Sequence, residues 1–329
     1  MRLAIVGCGL MGRRRARSLG DSQLVCCVDK DPHRAEQLAK SARDCAASSD
    51  WRKAVTRPDV DAVIVATPHD ALAEITRTAM EAGKHVLLEK PGARNWRELN
   101  DLPELAARHR VRVRVGFNHR YHRALQQARN IVDSGALGPL MFVRARYGHG
   151  GRLGYESEWR SQPAISGGGE LLDQGVHLID LARWFLGDFP DVQGYATTYF
   201  WDMPADDNGF MLLKTATKQV AFLHVSCTEW KNTFSFELYG HKGKLHIEGL
   251  GGSYGIERLA WYRMLPQMGP PETTIWEYPM ADDSEELEMK EFLEDIRLER
   301  TPSAGLKDAI AALRVVEAIY GASAYDHRA

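Results

Sequence analysis

Residues 3–12 read Leu-Ala-Ile-Val-Gly-Cys-Gly-Leu-Met-Gly. Four apolar residues run straight into a G-x-G-x-x-G spacing at Gly7, Gly9 and Gly12, and helical periodicity follows, with Met11, Ala16 and Leu19 on one side. Glycines in such a turn permit a sharp reversal, close approach of a pyrophosphate and close packing of helix on strand, with the phosphates at the helix N-terminus. The spacing alone is a weak signal, and its flanks strengthen it. A second apolar run, residues 24–28, ends in Asp29, seventeen residues beyond Gly12. A carboxylate there accepts hydrogen bonds from an adenosine ribose. Strand, glycine turn, helix, strand and terminal acid together predict dinucleotide binding. The charge of Asp29 would repel a 2′-phosphate, which favours NAD over NADP, although Lys30 and Arg13 offer cations to shelter one.

Further along, apolar runs at 62–66, 85–88 and 111–115 alternate with helical segments near 32–42, 70–82 and 94–109. This alternation specifies a parallel sheet with helices on both faces, whose ligands sit beyond the carboxyl ends of the strands. Asp29, Thr67 and Lys90 occupy such ends. Lys90, lodged between Glu89 and Pro91, reads as a positioned lysine rather than a solvated one.

A chain of 329 residues has room for two domains at roughly 150 residues each. Its net charge of −2 gives no electrostatic reason to expect nucleic acid or anionic membrane as a partner. The five cysteines are odd in number and lack metal-ligand spacing. Adjacent Cys26 and Cys27 would point to opposite faces of a strand, so a disulfide between them is not expected. Reduced thiols and a cytoplasmic location follow as expectations. The N-terminal apolar run is broken by glycines with no cleavage site after it, and no apolar stretch approaches the ~20 residues that span a bilayer.

The pattern changes after Asn118. A helix over 123–134 and a strand over 141–147 lead into residues 148–166, which hold His149, Arg152, Tyr155, Trp159 and Arg160. This segment is too polar and irregular for core, and reads as a wall of a ligand site rather than a plain surface loop. Next comes Ser-Gly-Gly-Gly-Glu-Leu-Leu-Asp-Gln-Gly-Val-His over 166–177, opening a helix expected at 170–186. Asp173 and His177 are four residues apart, which stacks them on one helix face. A carboxylate beside an imidazole can handle a proton near neutrality, although the same spacing also serves merely to stabilise helices. The three glycines would let backbone approach substrate or nicotinamide closely. Strands follow at 192–200, 209–216, 219–228, 233–239, 243–248 and 255–264, read as an antiparallel meander with an aromatic-rich exposed face suited to a subunit interface. Helices near 283–300 and 305–323 finish the chain.

These motifs resemble the glucose–fructose oxidoreductase/inositol dehydrogenase (Gfo/Idh/MocA) family along the whole chain. The likeness rests on the glycine turn, Asp29, Ala66-Thr67-Pro68, the run from Gly83 to Pro91, Gly116-Phe-Asn-His-Arg-Tyr121 and the Gly-Gly-Gly-Glu to Asp180 stretch. It implies an α/β protein: a Rossmann domain over 1–118 joined to an α/β domain over 119–329. The second domain would carry a large, open, mostly antiparallel sheet, bind substrate and form a homodimer or homotetramer. It further implies a metal-free, NAD(P)-dependent oxidoreductase acting on a sugar or cyclitol hydroxyl. Carried over, Lys90 would contact nicotinamide ribose and substrate hydroxyl, Asp173 would orient the substrate or support the histidine, and His177 would take or return the proton. The bond before the matching proline, Pro91 here, is often cis in the family.

The candidate cofactor residues are Gly7, Gly9, Leu10, Met11, Gly12, Asp29, Lys30, Thr67, Pro68, His69, Glu89 and Lys90. Candidate substrate residues are Lys90, Asn118, Arg120, Arg152, Tyr155, Trp159, Arg160, Asp173 and His177. His69 and Leu72 depart from the family's usual asparagine and histidine, which bears on local packing beside the cofactor.

The expected reaction is hydride transfer from a secondary hydroxyl to nicotinamide. Arg152, Trp159 and Arg160 suit stacking on a base and pairing with a diphosphate, which points to a nucleotide-activated or phosphorylated sugar. A free sugar or inositol is the nearest alternative. Glycoside cleavage by oxidation and elimination is another, as is a non-catalytic dinucleotide-sensing regulator. Retention of Lys90, Asp173 and His177 together argues against the regulator.

Overall fold

A computed structural model describes residues 1–323; the last residues of the expected second domain, 324–329, lie outside the described residues. The chain forms two compact units. The first comprises Met1–Phe117, Ile165–Gly167 and Glu285–Ala311; the second comprises Asn118–Ala164, Gly168–Ser284 and, among the described residues, 312–323.

The first unit runs β1 (Arg2–Val6), α1 (Leu10–Arg17), β2 (Gln23–Val28), α2 (Pro32–Ala39), β3 (Ala46–Ser48), α3 (Trp51–Val55), β4 (Ala62–Val65), α4 (His69–Glu81), β5 (His85–Leu88), α5 (Leu102–His109) and β6 (Val113–Val115). Its strands are all parallel, in the order β3-β2-β1-β4-β5-β6. Near-continuous apolar strands are what a sheet covered on both faces requires. Leu3, Ile5, Cys27, Ile64 and Leu87 accordingly share one buried core cluster. The chain builds outward from β1 to β3, then crosses to the other side of β1 to lay down β4. Such a reversal opens a crevice at the carboxyl ends of the two central strands. Asp31 caps α2 by accepting from the His33 N–H at 3.0 Å, which starts that helix directly after Asp29.

The second unit contributes α6 (Arg123–Asp133), β7 (Leu140–Gly148), a short turn α7 (Pro163–Ser166) shared with the first unit, α8 (Glu170–Asp173), α9 (Gly175–Leu186), β8 (Asp191–Thr197), β9 (Asn208–Lys214), β10 (Val220–Ser226), β11 (Thr233–Gly240), β12 (Gly243–Glu248), β13 (Glu257–Arg263) and β14 (Glu272–Tyr278). α10 (Ser284–Arg297) and α11 (Leu306–Ala322) are the last helices among the described residues. From α10, Met289 and Phe292 join the core of the first unit. The eight strands order as β14-β13-β12-β11-β7-β10-β9-β8. α9 packs on β7 and β10, and α6 on β12, β13 and β14. Inward Val143, Leu223, Phe236 and Leu245 are buried beneath these helices, while outward Phe142, Leu212 and Phe222 are exposed.

Several details differ from the expectations, beginning with β3 and α3, which no apolar run or helical segment marks. The sheet is not a simple meander, because β7 inserts between β10 and β11 and runs parallel to β10. β14 was not anticipated: it is a half-exposed edge strand between Pro271 and Pro279, so its apolar alternation is faint. The expected helix 170–186 is two segments with Gln174 between them, so Asp173 closes one and His177 lies in the first turn of the next. No helix among the described residues is long and apolar enough to cross a membrane.

Candidate active site

At the carboxyl ends of β1 and β2 the glycine turn is built by steric necessity. Gly7 has φ +98°, and a Cβ there would meet the Ala66 carbonyl oxygen at 2.4 Å. A Cβ on Gly12 would sit 1.9 Å from the Gly7 carbonyl oxygen. Gly9, which caps α1, faces open space within 4 Å. Two glycines therefore serve helix–strand packing, and the third leaves room for a ligand at the helix N-terminus. Asp29 is tied to this turn: its carboxylate accepts from the Cys8 N–H at 2.8 Å and the Asp31 N–H at 3.0 Å. Past the end of β4, the Thr67 hydroxyl is buried with no hydrogen-bond partner among the described residues. An orphaned hydroxyl at a strand end fits a polar ligand such as a dinucleotide. Leu10, Met11 and Lys30 are exposed or half-exposed. Pro68 caps α4, and the buried His69 ring meets the Ser166 carbonyl at 2.7 Å through Nδ1.

Lys90 is half-buried just beyond β5, and its bond to Pro91 is cis, as the resemblance implied. The residue before it is held by a buried ion network. Arg15 Nε donates to Glu89 Oε1 at 2.6 Å, and Arg15 Nη1 to Glu288 Oε2 at 2.6 Å. Gly116 leaves space for this group, since a Cβ there would meet the Arg15 guanidinium at 2.8 Å. Burial pushes the Arg15 pKa down, but the charges of Glu89 and Glu288 outweigh it and hold it above the ordinary value. One guanidinium cannot neutralise two carboxylates in a dry site. Burial, with the charge of Glu89 adding to it, pushes Glu288 up to about 7.

In the second unit, Asp173 and His177 are both buried. His177 stacks on His119 with ring centroids 3.8 Å apart, and Tyr147 meets it edge-on at 6.4 Å. Asp173 Oδ2 lies 3.4 Å from Arg160 Nε, and the Arg160 guanidinium lies over the Trp159 ring at 4.5 Å. One turn earlier, Glu170 accepts from His149 Nε2 at 2.8 Å and from the Tyr155 hydroxyl at 3.4 Å. His149 Nδ1 accepts the Gly151 N–H at 2.9 Å, so Nε2 carries the ring proton toward Glu170. Glu170 thus pins the loop that carries Trp159 and Arg160 to the helix that carries Asp173. Asp206 underlies the same turn, accepting the N–H groups of Gly169 at 2.8 Å and Leu171 at 2.7 Å and the Tyr320 hydroxyl at 2.6 Å. Burial nevertheless pushes Asp206 up to about 6.

The remaining substrate candidates divide. Trp159 and Arg160 stand beside Asp173. Arg152 is engaged bidentately by Glu158 at 2.7 and 2.6 Å, and Tyr155 is a buried anchor of the loop rather than its wall. Arg120 is buried and bidentate on Asp180 at 2.7 and 2.5 Å; Asn118 donates to the Ser284 hydroxyl at 2.9 Å. The three glycines approach protein rather than ligand. Cβ atoms at Gly167, Gly168 and Gly169 would meet Arg94, Tyr320 and Asp206 at 2.6, 2.1 and 2.0 Å. Sequence reasoning assigned no role to Glu170 and placed His149 only in the segment read as a ligand-site wall; Glu170 precedes Asp173 by three residues, which signals a shared helix face.

Residues 1–117 match the oxidoreductase family with an NAD-binding Rossmann fold, and residues 125–246 match the GFO/IDH/MocA C-terminal domain. The chain belongs to the Gfo/Idh/MocA family. Its first unit is the family's NAD-binding Rossmann domain, and the glycine turn and Asp29 lie within it. Among Gfo/Idh/MocA relatives, levoglucosan dehydrogenase of Pseudarthrobacter phenanthrenivorans is 32% identical over 57% of this chain and 49% of that protein. The chain therefore spans about half the length of that relative. A dTDP-3,4-didehydro-2,6-dideoxy-alpha-D-glucose 3-reductase of Saccharopolyspora spinosa is 29% identical over 75% of this chain and 74% of that protein. The structure of levoglucosan dehydrogenase in complex with NADH and L-sorbose has the same fold, with a TM-score of 0.88 at 22% identity over 98% of this chain and 97% of that one.

Proposed function

We propose that this protein is an NAD-dependent dehydrogenase that oxidises a secondary hydroxyl of a sugar, and that the sugar is nucleotide-activated or phosphorylated. The observation that carries this reading is the buried Asp173–His177 set with the Arg160–Trp159 pair on Asp173. Bound NAD supplies the hydride acceptor. His177 takes the hydroxyl proton, Asp173 orients the reacting group, and Lys90 supplies positive charge where alkoxide character develops. In this reading the first unit holds the dinucleotide and the second takes the sugar. A guanidinium stacked on an indole supports binding of a phosphate beside a base, and the dTDP-sugar relative supports the same class. The second reading, a free sugar or inositol, is favoured by the engagement of Arg152 by Glu158 and by the levoglucosan relative. NADH formation across sugars, cyclitols and nucleotide sugars tests both. The highest kcat/KM is expected with a nucleotide or phosphorylated sugar. A free sugar turned over faster transfers the assignment to the second reading, and NADH binding without turnover on any panel member removes dehydrogenase activity altogether.

The outer face of the eight-stranded sheet is the proposed meeting surface for a second copy. Phe142, Tyr195, Leu212 and Phe222 are exposed on this one face, an apolar patch of the kind that marks association. Sedimentation velocity should find a dimer or tetramer that Phe222→Asp dissociates. A monomeric native protein would refute this surface. The five cysteines, none in a disulfide, support a cytoplasmic location.

A further inference from the structure

Cysteines distant in sequence meet at the β2–β3 edge of the Rossmann sheet. Parallel pairing of β2 with β3 sets Cys26 beside Ala46 and Cys27 beside Ala47, which brings the preceding residue, Cys45, against β2. The Cys27 and Cys45 sulfurs are 3.6 Å apart. Their surroundings differ sharply. Cys27 is fully buried in the core, whereas Cys45 is half-buried and lines an open surface groove of about 610 Å³ together with Glu36, Lys40 and Asp44. The hydrogen bond from Cys27 lowers the Cys45 pKa, burial opposes this, and the charge of Arg57 lowers it further. Hydrogen bonds with Cys45 and Cys8, together with burial, raise that of Cys27. A half-buried thiol at the surface, 3.6 Å from a second, protected thiol, is the arrangement of a reactive cysteine with its resolving partner.

We propose that Cys45 and Cys27 form an oxidation site that a peroxide converts to a disulfide, and that this disulfide weakens NAD binding. In the first step the Cys45 thiolate attacks one peroxide oxygen. The O–O bond breaks, an S–O bond forms, and hydroxide leaves, giving the Cys45 sulfenic acid. In the second step the Cys27 sulfur displaces the sulfenic hydroxyl, which leaves as water with the Cys27 proton. The two thiols lose two electrons in total, and the peroxide is reduced to two waters. Bond formation closes the sulfurs from 3.6 Å to about 2.05 Å. Cys45 is able to move because it lies in the turn before β3, outside the ladder that begins at Ala46.

The coupling to NAD follows from what β2 holds; this part rests on the NAD-binding assignment. The Val28 carbonyl accepts the Gly7 N–H at 2.8 Å and the Cys8 thiol at 3.3 Å, and Asp29 accepts the Cys8 N–H at 2.8 Å. The end of β2 and the glycine turn therefore move together. A pull on Cys27 displaces both.

The test treats the folded full-length protein with hydrogen peroxide, followed by mass spectrometry with thiol alkylation and by NADH titration. Two of the five thiols should be lost, a Cys27–Cys45 linked peptide should appear, and the NADH Kd should rise at least about threefold, reversed by dithiothreitol. Cys45→Ser should abolish both effects; a half-buried turn position tolerates serine. Cys27→Ser should leave a Cys45 sulfenic acid trapped by dimedone, and if that core variant does not fold, Cys45→Ser decides alone. Five thiols still alkylatable after peroxide, a disulfide between other cysteines, or Cys45→Ser oxidising like the native protein would overturn the site. A linked peptide with unchanged NADH affinity would overturn the coupling while leaving the NAD assignment intact. Failure of the reduced protein to bind NADH would instead overturn that assignment.

Discussion

Replacing His177 with Asn is expected to lower kcat by roughly 10²–10⁴ while NADH affinity and folding stay close to native. The expectation follows from what the substitution preserves. Asparagine keeps a polar, hydrogen-bonding side chain of similar reach, so the packing on His119 and Tyr147 is only trimmed. It cannot accept and release a proton near neutrality, and a general base contributes about this factor. The loss should fall on kcat more than on KM, because the proton moves in the transition state rather than on binding. The limb of the pH–rate profile belonging to the base should vanish as well. A merely structural histidine would change stability and leave that limb in place. Native turnover in the variant would remove His177 from the mechanism and pass the proton to Asp173, which closes the preceding helix.

The second large effect is on stability. Arg15→Met should destabilise the first unit by about 3–5 kcal/mol, because it strands Glu89 and Glu288 as buried carboxylates without their shared cation. The Arg15 and Glu288 side chains are 1% and 0% exposed, so water cannot replace the lost partner. Denaturant unfolding of native and variant protein measures this, and a difference below about 0.5 kcal/mol would show that the network contributes nothing net. The network also predicts a pH dependence. The folded-state pKa of Glu288, about 7, lies above its ordinary 4.5. Its contribution is therefore fully present below about pH 4.5 and is lost as pH rises through about 7. Glu288→Gln, a neutral carbonyl in the same place, should flatten that decline. An unchanged pH profile would mean that Glu288 is ionised in the fold and that the proton resides elsewhere. Because Glu89 immediately precedes Lys90, loss of Arg15 should also depress activity in protein that remains folded.

The parts of this protein legible in its sequence are those set by neighbours along the chain. The turn Gly7 to Gly12 imposes its own backbone, and apolar runs alternating with amphipathic segments admit a covered parallel sheet and little else. The Asp173–His177 spacing carried the same kind of local meaning, and the resemblance added Lys90 to it. Reading failed first where a local pattern was faint, as in β14 between its prolines, or where a helix broke without a proline, as at Gln174.

The tertiary structure alone decided which distant residues share a charge, a proton or a thiol contact. Arg15, Glu89 and Glu288 come from an early helix, a strand end and a helix near the C-terminus. Nothing in their spacing marks them as one ion group. Glu170 reads as an ordinary first-turn acid until His149 and Tyr155 are seen to meet it, and Arg120 and Arg152 read as ligand arginines until Asp180 and Glu158 are found against them. The glycines at 167–169 looked like room for substrate and prove to be room for Arg94, Tyr320 and Asp206. Cys27 and Cys45 are neighbours only because β3 pairs with β2. The physical reason is common to all of these. Backbone conformation and amphipathic period are local properties that the chain carries with it, whereas the partner of a buried charge or thiol is fixed by strand order and packing, which bring together residues that the chain keeps far apart.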